Sequence, residues 1–231
     1  MRPVERGEMP KDGAGNEIVF KEHGDARKYL KAEIGEFCSY CETGLHSVIA
    51  VEHIYPKAEE LYPERALFWT NFLLSCTYCN SIKGTTDPDL QDYYWPHRDN
   101  TARPFIYRLD LAPRVADGLS QDQRQIAQST LELTGLDREP GHPDLSPLDP
   151  RWNKRREAWG VALRLLQKLR AGKIDRESVL HNAISRGFWS VWMEVFKEDI
   201  EMRRLLISSF KVPASCFNVQ TQPLPRPEGL I

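Results

Sequence analysis

Residues 37–41 read FCSYC and residues 76–80 read CTYCN, and these two short stretches decide how the middle of the chain folds. Each contains a Cys-x2-Cys pair, which presents two sulfurs to one metal ion. Two such pairs complete a closed tetrahedral zinc site with four thiolates about 2.3 Å from the metal. The predicted ligands are Cys38, Cys41, Cys76 and Cys79. A closed site of this kind stabilises the fold and performs no chemistry, and four unrelated buried thiols are the alternative.

A carboxylate and an imidazole stand next to each other between the two cysteine pairs. Residues 52–56 read EHIYP, and Glu52 and His53 stand directly after the end of a predicted β-strand. Side chains alternate between the two faces of a strand, so these two should not both point into the core. Asn80 follows the zinc ligand Cys79, which brings its amide back towards them. A histidine taken alone is more often structural, but this group suits a hard cation with oxygen ligands beside a general base.

The order and spacing of these residues over about positions 37–84 resemble the HNH endonucleases. The resemblance implies a ββα-metal core in which His53 is the general base that activates water. It also implies that Asn71 braces the catalytic loop and orients the histidine, and that Glu52 and Asn80 hold one divalent cation, Mg²⁺ or Mn²⁺. Two positions depart from the commonest pattern, because Glu52 stands where aspartate is commoner and Asn80 stands where founding members have histidine.

Further segments resemble one group within that family, the PtuB-like HNH proteins of Septu-type anti-phage pairs. The segments are residues 37–42, 50–57, 69–74, 94–96 and 99–101, together with Ala26, Arg27 and Leu30 before them and Leu136, Arg155, Arg156 and Trp159 after them. This resemblance implies a role in defence with a partner ABC-type ATPase that senses or grips the target and restrains the nuclease. DNA is the favoured substrate, and RNA such as tRNA is an alternative. A zinc-stabilised binding module with vestigial HNH residues is the other alternative, but a zinc site alone does not require Glu52, His53, Asn71 and Asn80 together.

The composition excludes several classes of protein. The chain has 231 residues, 31 Lys and Arg against 33 Asp and Glu, a formal net charge of −2, and 41% hydrophobic residues. These values exclude overall disorder and argue against a protein that coats nucleic acid through bulk charge, so such contact needs a local basic face or a partner. We find neither an apolar run of roughly 20 residues nor a secretory signal, which predicts a cytoplasmic protein with no membrane segment. In that reducing compartment the cysteine pairs favour metal, and Cys216 is predicted to be a plain buried or tail thiol.

The fold class that these patterns predict is α+β, with a small zinc-stapled HNH core embedded in a mostly helical protein. The predicted division is an N-terminal segment and helix (1–36), the zinc-bound core with a following loop region (37–118), a helical part (119–211) and an extended proline-rich tail (212–231). Apolar periodicity and capping residues predict helices over about 25–34, ended by Gly35, over 120–134, ended by Gly135, over 151–171, and over 178–210 with a break at Gly187. Strands are predicted over 48–51 and 71–75, and a helix begins near Cys79 and ends at Gly84.

Several residues near these motifs allow two interpretations. Lys83, one helical turn past Asn80, either contacts a phosphate or is a solvated helix end. The basic residues within 151–173 either follow a nucleic-acid backbone or form a solvated face opposite the apolar stripe that begins at Trp159. His97 either lines the edge of the active site or is an ordinary loop residue. Three aromatic residues at helical spacing, Trp189, Trp192 and Phe196, are predicted to pack in the core.

Overall fold

A computed structural model describes residues 1–45, 49–56, 65–86 and 88–231, and it confirms the α+β class. The helices are α1 (Arg27–Ile34), α2 (Thr77–Lys83), α3 (Gln121–Thr134), α4 (Arg151–Arg170), α5 (Arg176–Arg186), α6 (Trp189–Val195) and α7 (Ile200–Ser209). The strands are β1 (Ala50–His53), β2 (Phe72–Ser75), β3 (Phe105–Ile106) and β4 (Arg114–Val115). A 3₁₀ turn, His23–Ala26, leads directly into α1, and Gly35 ends that helix as predicted.

The two longer strands and the helix that follows them form a small ββα unit. Strand β1 is antiparallel to β2, and His53 lies opposite Phe72 in the register. Cys76 is the N-cap of α2, because its sulfur accepts a hydrogen bond from the backbone N–H of Cys79, and Gly84 ends the helix at φ 56°. β1 ends two residues later than predicted, since pairing with β2 continues through the polar pair Glu52 and His53; Val48 lies outside the described residues.

Buried apolar side chains form two cores. The first combines the ββα unit, α1 and α3 with the N-terminal segment, so that Val4 and Leu30 share one core with the zinc-binding cysteines. The second lies among α4, α5, α6 and α7, where Trp192 is fully buried. Trp189 and Phe196 are buried there too, which confirms their predicted core packing. The predicted domain boundaries themselves stay a prediction.

The second half of the chain contains one more helix break than the sequence predicted. Gly187 separates α5 from α6 as expected, but a second break precedes α7. There the side chain of Asp199 accepts a hydrogen bond from the backbone N–H of Met202 and starts a new helix as its N-cap. For α4 the sequence predicts an apolar stripe of Trp159, Leu163, Leu166 and Leu169, and this prediction is partly wrong. Leu163 is 36% exposed, and Ala158, Trp159 and Ala162 form the buried face of α4.

The C-terminal segment is largely irregular and packs on both cores, with Val212 in the second and Ile231 in the first. The side chain of Asn100 donates hydrogen bonds to the carbonyls of Cys216 and Leu224, at 2.7 and 2.6 Å. The Asp99 carboxylate accepts from the backbone N–H of Leu230, and Ile231 is buried. Asn100 and Asp99, which belong to one of the segments that carry the family resemblance, therefore hold the C-terminal segment in place by hydrogen bonds. Among the described residues, no helix combines the length and the apolar character needed to cross a bilayer.

Candidate metal centres and active site

The four predicted zinc ligands converge on one point. The sulfurs of Cys38, Cys41, Cys76 and Cys79 all lie within 4.8 Å of one another, and all four residues are buried. The sulfurs of Cys41 and Cys76 are 3.6 Å apart. Tetrahedral zinc with bonds of about 2.3 Å separates its sulfurs by about 3.8 Å, so the geometry fits this ion. Burial raises the pKa of the Cys41 and Cys79 thiols, and a divalent cation supplies the charge that favours their thiolates.

A buried arginine supports this cluster from the second core. Nη1 of Arg151, at the start of α4, donates to the Cys79 sulfur at 3.1 Å and to the carbonyl of Thr134 at 2.7 Å. Asp149 accepts from the same guanidinium, with its closest oxygen 2.7 Å from Nη2. A cationic donor offsets the excess negative charge that four thiolates carry over one zinc ion. Arg151 is therefore neither on a face that contacts a nucleic-acid backbone nor on a solvated helix face, and both predictions are wrong for it. The same holds for Arg155, which is equally buried.

The predicted reactive residues meet at a second, open site. A cavity of about 340 Å³ is lined by His23, Val51, Glu52, His53, Pro56, Asn80, Gly84 and Thr85. It therefore brings together the carboxylate, the imidazole and the amide that the sequence singled out. His23 also lies here, with its ring centroid 5.3 Å from that of His53. No motif marked His23, which reaches the cavity through the packing of its 3₁₀ turn against β1.

The environment of His53 fixes the state of its ring. Nε2 lies 3.0 Å from the carbonyl oxygen of Ala66. A carbonyl only accepts hydrogen bonds, so Nε2 carries the proton and the neutral ring has its lone pair on Nδ1. Phe72 packs against the ring edge to face, with centroids 5.2 Å apart. His53 is 8% exposed, so this imidazole is oriented by its surroundings while it still borders the cavity.

Glu52 is held by a buried ion pair that the sequence did not predict. Its Oε1 lies 3.0 Å from Nζ of Lys83, and the two side chains are only 2% and 1% exposed. The same ammonium donates to the carbonyl of His53 at 2.8 Å. Burial raises the pKa of the Glu52 carboxyl, and Lys83 opposes that rise. The predicted solvated helix end is therefore wrong, and the predicted phosphate contact does not agree with an ammonium that is buried and already paired.

Glu52 and His53 are both buried, contrary to the expectation from strand alternation. β1 contacts both α2 and the 3₁₀ turn at His23–Ala26, in addition to its partner strand β2, and Val51, Glu52 and His53 are all buried. A strand covered on both faces buries successive side chains, even though they point in opposite directions. The error lay in treating one face of β1 as open to solvent.

Asn71 lies beside the loop that follows β1 and holds both of its described ends. Its Oδ1 accepts from the backbone N–H of Tyr55 at 2.8 Å. Its Nδ2 donates to the carbonyls of Tyr55 and Arg65, each at 3.1 Å. Three side-chain hydrogen bonds to the backbone make a rigid brace across the loop. The side chain borders a neighbouring cavity, and it does not line the one that contains His53.

Comparisons with known proteins agree with this geometry. Residues 38–86 match the family model described as HNH endonuclease, and that range contains both cysteine pairs and every predicted site residue. The Septu protein PtuB of Bacillus thuringiensis is 36% identical over 93 residues. The alignment covers 36% of this chain and 35% of that relative, so it reaches well under half of either protein.

Proposed function

We propose that this chain, which carries an HNH endonuclease domain at residues 38–86, hydrolyses phosphodiester bonds of nucleic acid with the help of a divalent cation. The observation that carries the proposal is the cavity shared by Glu52, His53 and Asn80. A neutral imidazole whose Nε2 donates to a carbonyl has its lone pair on Nδ1, the atom that acts as a base, and it stands beside two oxygen-bearing side chains.

The chemistry follows from these roles. Neutral His53 accepts a proton from water at Nδ1, and the resulting hydroxide attacks the phosphorus in line with the leaving oxygen. Asn71 holds the backbone of Tyr55 and of Arg65 in place through its side-chain hydrogen bonds. Lys83 favours the ionised form of Glu52 and opposes the rise in its pKa that burial causes.

Glu52 and Asn80 would hold the cation, Mg²⁺ or Mn²⁺. Both are oxygen donors of the kind these ions prefer, and water and substrate phosphate would complete the ligand set. When bound, the ion stabilises the negative charge that develops on the phosphoryl and leaving oxygens. The closed four-cysteine cluster, in contrast, has the ligand set of a structural zinc site.

The biological setting that we propose is anti-phage defence in the cytoplasm, with DNA as the target and an ABC-type ATPase as partner. The similarity to a protein named for the Septu system supports this setting. The net charge of −2 gives the chain little general attraction to a polyanion, so a partner that grips the target would supply what the chain lacks.

The test compares the cleavage rates of the wild-type chain and His53→Ala on plasmid DNA and on total tRNA, in Mg²⁺ and in Mn²⁺. Each reaction is run with and without the proposed ABC-type ATPase partner. Loss of a general base should lower the cleavage rate by about 10² to 10⁴-fold. His181→Ala is the matched control, because His181 is exposed on α5, and it should cut like wild type. Equal cleavage by His53→Ala would contradict the assignment of the base. Degradation of tRNA alone would make RNA the substrate.

A further inference from the structure

Helix α4 and the turn after it carry an excess of positive charge that the proposed cleavage site does not use. Residues 151–173 contain eight Lys and Arg residues and one acid, Glu157. Arg151 and Arg155 are buried, and the exposed Arg156 is already in an ion pair. The other five are exposed, and none of them forms an ion pair within the part of the chain that the structure describes; they are Lys154, Arg164, Lys168, Arg170 and Lys173.

Two of these cations lie on one face of the helix. Arg164 and Lys168 are four residues apart, which places them on successive turns of the same face. Like charges in this arrangement repel each other and destabilise a helix. Lys168 is in the last turn, where the helix dipole favours a cation, but Arg164 lies before that turn and has no such compensation. A ligand with negative charge would remove the repulsion.

Gly160 continues this face by one turn towards the start of the helix. Glycine in a helix interior costs conformational free energy relative to alanine, so its presence needs a reason. Packing does not supply one. Apart from the backbone of the helix itself, the described residues place only Nη1 of Arg164 within 4 Å of an added Cβ, at an ordinary contact distance of 3.7 Å. The absence of a side chain on an outward helix face allows a ligand to approach the helix backbone closely.

The same helix is anchored beside the proposed cleavage site. Arg151, at the start of α4, donates to the sulfur of Cys79, and Asn80 is the next residue in α2. Arg164 lies thirteen residues further along α4, which is about 20 Å at a rise of 1.5 Å per residue. A DNA duplex rises about 3.4 Å per base pair, so this distance corresponds to about six base pairs. A short duplex is therefore long enough to span from the cleavage site to this face.

We propose that the basic face of α4, formed by Gly160, Arg164 and Lys168, binds the phosphate backbone of nucleic acid. The inference rests on the proposed nuclease function, which it deepens by naming a surface that holds the substrate away from the reacting phosphodiester. Exposed cations at regular spacing, opposed within 151–173 by Glu157 alone, suit a polyanion. Nucleic acid is favoured over an acidic protein surface, because the proposed active site already requires it as substrate.

The first experiment measures affinity at several salt concentrations in the His53→Ala background, with and without the proposed ABC-type ATPase partner. The probes are a DNA duplex of about 20 base pairs, which is longer than α4, and total tRNA. The double variant Arg164→Gln with Lys168→Gln should bind more weakly to every sequence. Its slope of log K against log salt should be smaller by about 2, the value for two lost phosphate contacts.

The control removes the same charge elsewhere on the surface. Lys197 and Arg204 are exposed, and they already pair with Glu194 and Glu201. The double variant Lys197→Gln with Arg204→Gln should therefore keep the wild-type slope. An equal loss of slope in this control would mean that net charge alone governs binding, which would overturn the proposed face. Unfolding midpoints verify that both double variants are folded.

The second experiment tests the close approach at Gly160 by measuring stability and binding on the same variants. Gly160→Ala should raise the unfolding free energy, because alanine is the better helix former and nothing obstructs its Cβ. It should nevertheless weaken duplex binding, and Gly160→Gln, with its longer side chain, should weaken it further. Gln167→Ala is the control, because Gln167 is exposed seven residues later and loses bulk, so it should bind like wild type. Equal affinity in all four proteins would contradict the proposed contact.

The outcomes separate this surface from the proposed function. An unchanged slope in Arg164→Gln with Lys168→Gln, while wild type binds and cuts, overturns the face and leaves the nuclease standing. Loss of the ATPase partner from that variant in gel filtration, with the slope unchanged, assigns the face to a protein and also overturns the nucleic-acid contact. A lowered slope in a chain that binds without cutting supports the face and contradicts the nuclease. If wild type neither binds nor cuts with its partner, both proposals fail.

Discussion

The four-cysteine cluster and the cavity of His53 share helix α2, yet they are built in opposite ways. In the cluster, all four sulfurs lie within 4.8 Å of one another and are buried. In the cavity, about 340 Å³ remains between Glu52, His53 and Asn80. Helix α2 serves both, because its first turn contains Cys79 and its next residue is Asn80. The closed cysteine site stabilises the fold. The rigid frame that it creates allows the adjacent cavity to stay open for a substrate.

The largest effect should come from breaking the closed site. Cys41→Ser removes one of four thiolates, and structural zinc contributes about 10–16 kcal/mol of binding free energy in small zinc domains. Because whole domains are stable by only about 5–15 kcal/mol, we expect this variant to lose both its zinc and its cooperative unfolding transition. Metal content per chain and thermal unfolding followed by circular dichroism measure the two effects.

Cys216→Ser provides the control for that experiment. Cys216 is also fully buried, but its sulfur is not part of the cluster. It should retain one zinc per chain and a single unfolding transition. A Cys41→Ser protein that holds one zinc and unfolds at the wild-type temperature would show that four thiolates are not required.

A smaller effect should follow from breaking the ion pair beneath the open site. Lys83→Met leaves the Glu52 carboxylate buried without its ammonium, which costs about 3–5 kcal/mol of folding free energy. The cause is the unpaired charge, so the double variant Lys83→Met with Glu52→Gln should regain most of the loss. Denaturant unfolding of the single and double variants measures this.

The same variants decide between two roles for Lys83. If it contacted a phosphate, Lys83→Met would weaken nucleic-acid binding while the unfolding midpoint stayed at the wild-type value. A double variant whose loss equals the sum of the two single losses would also contradict the buried pair.

The contrast between the two sites also explains what could be predicted from the sequence. The Cys-x2-Cys pattern is local, since two sulfurs separated by two residues can reach one ion whatever surrounds them, so the cluster of four cysteines could be predicted from spacing alone. His53, Glu52 and Asn80 were identified by their order and by resemblance. The pairing of Glu52 with Lys83 depends on how β1 and α2 pack, and no spacing rule links residues so far apart in the chain.

Other features escaped prediction for the same reason. Arg151 reaches Cys79 across the boundary between the two cores, and its position at a helix start looked like part of a basic surface. The break before α7 has no glycine or proline, and its one signal is the capping residue Asp199. Long-range packing decided these points, whereas the helix ends at Gly35, Gly84 and Gly135 were set by local backbone geometry and were predicted.

The smallest effect should come from the contact that joins the second core to the first cysteine pair. Gly187 has φ 75°, and a Cβ at this position would lie 2.3 Å from the carbonyl oxygen of Glu42. The next residue, Phe188, donates its N–H to that same carbonyl at 2.8 Å. Gly187→Ala must therefore strain its backbone and also push α6 away from the turn after Cys41.

Gly172→Ala is the reference variant. Gly172 has φ 65° and nothing lies within 4 Å of the added Cβ, so this variant carries the backbone strain without displacing a neighbour. Both variants carry the backbone strain, so the difference between their denaturant unfolding free energies measures the displacement alone, and we expect about 1–3 kcal/mol. Equal losses of unfolding free energy in the two variants would mean that the close contact between Gly187 and Glu42 does not contribute to stability. Zinc content decides what the contact does for the cluster: one ion per chain in Gly187→Ala means that the thiolates keep their geometry without the second core, because local spacing is sufficient to hold them.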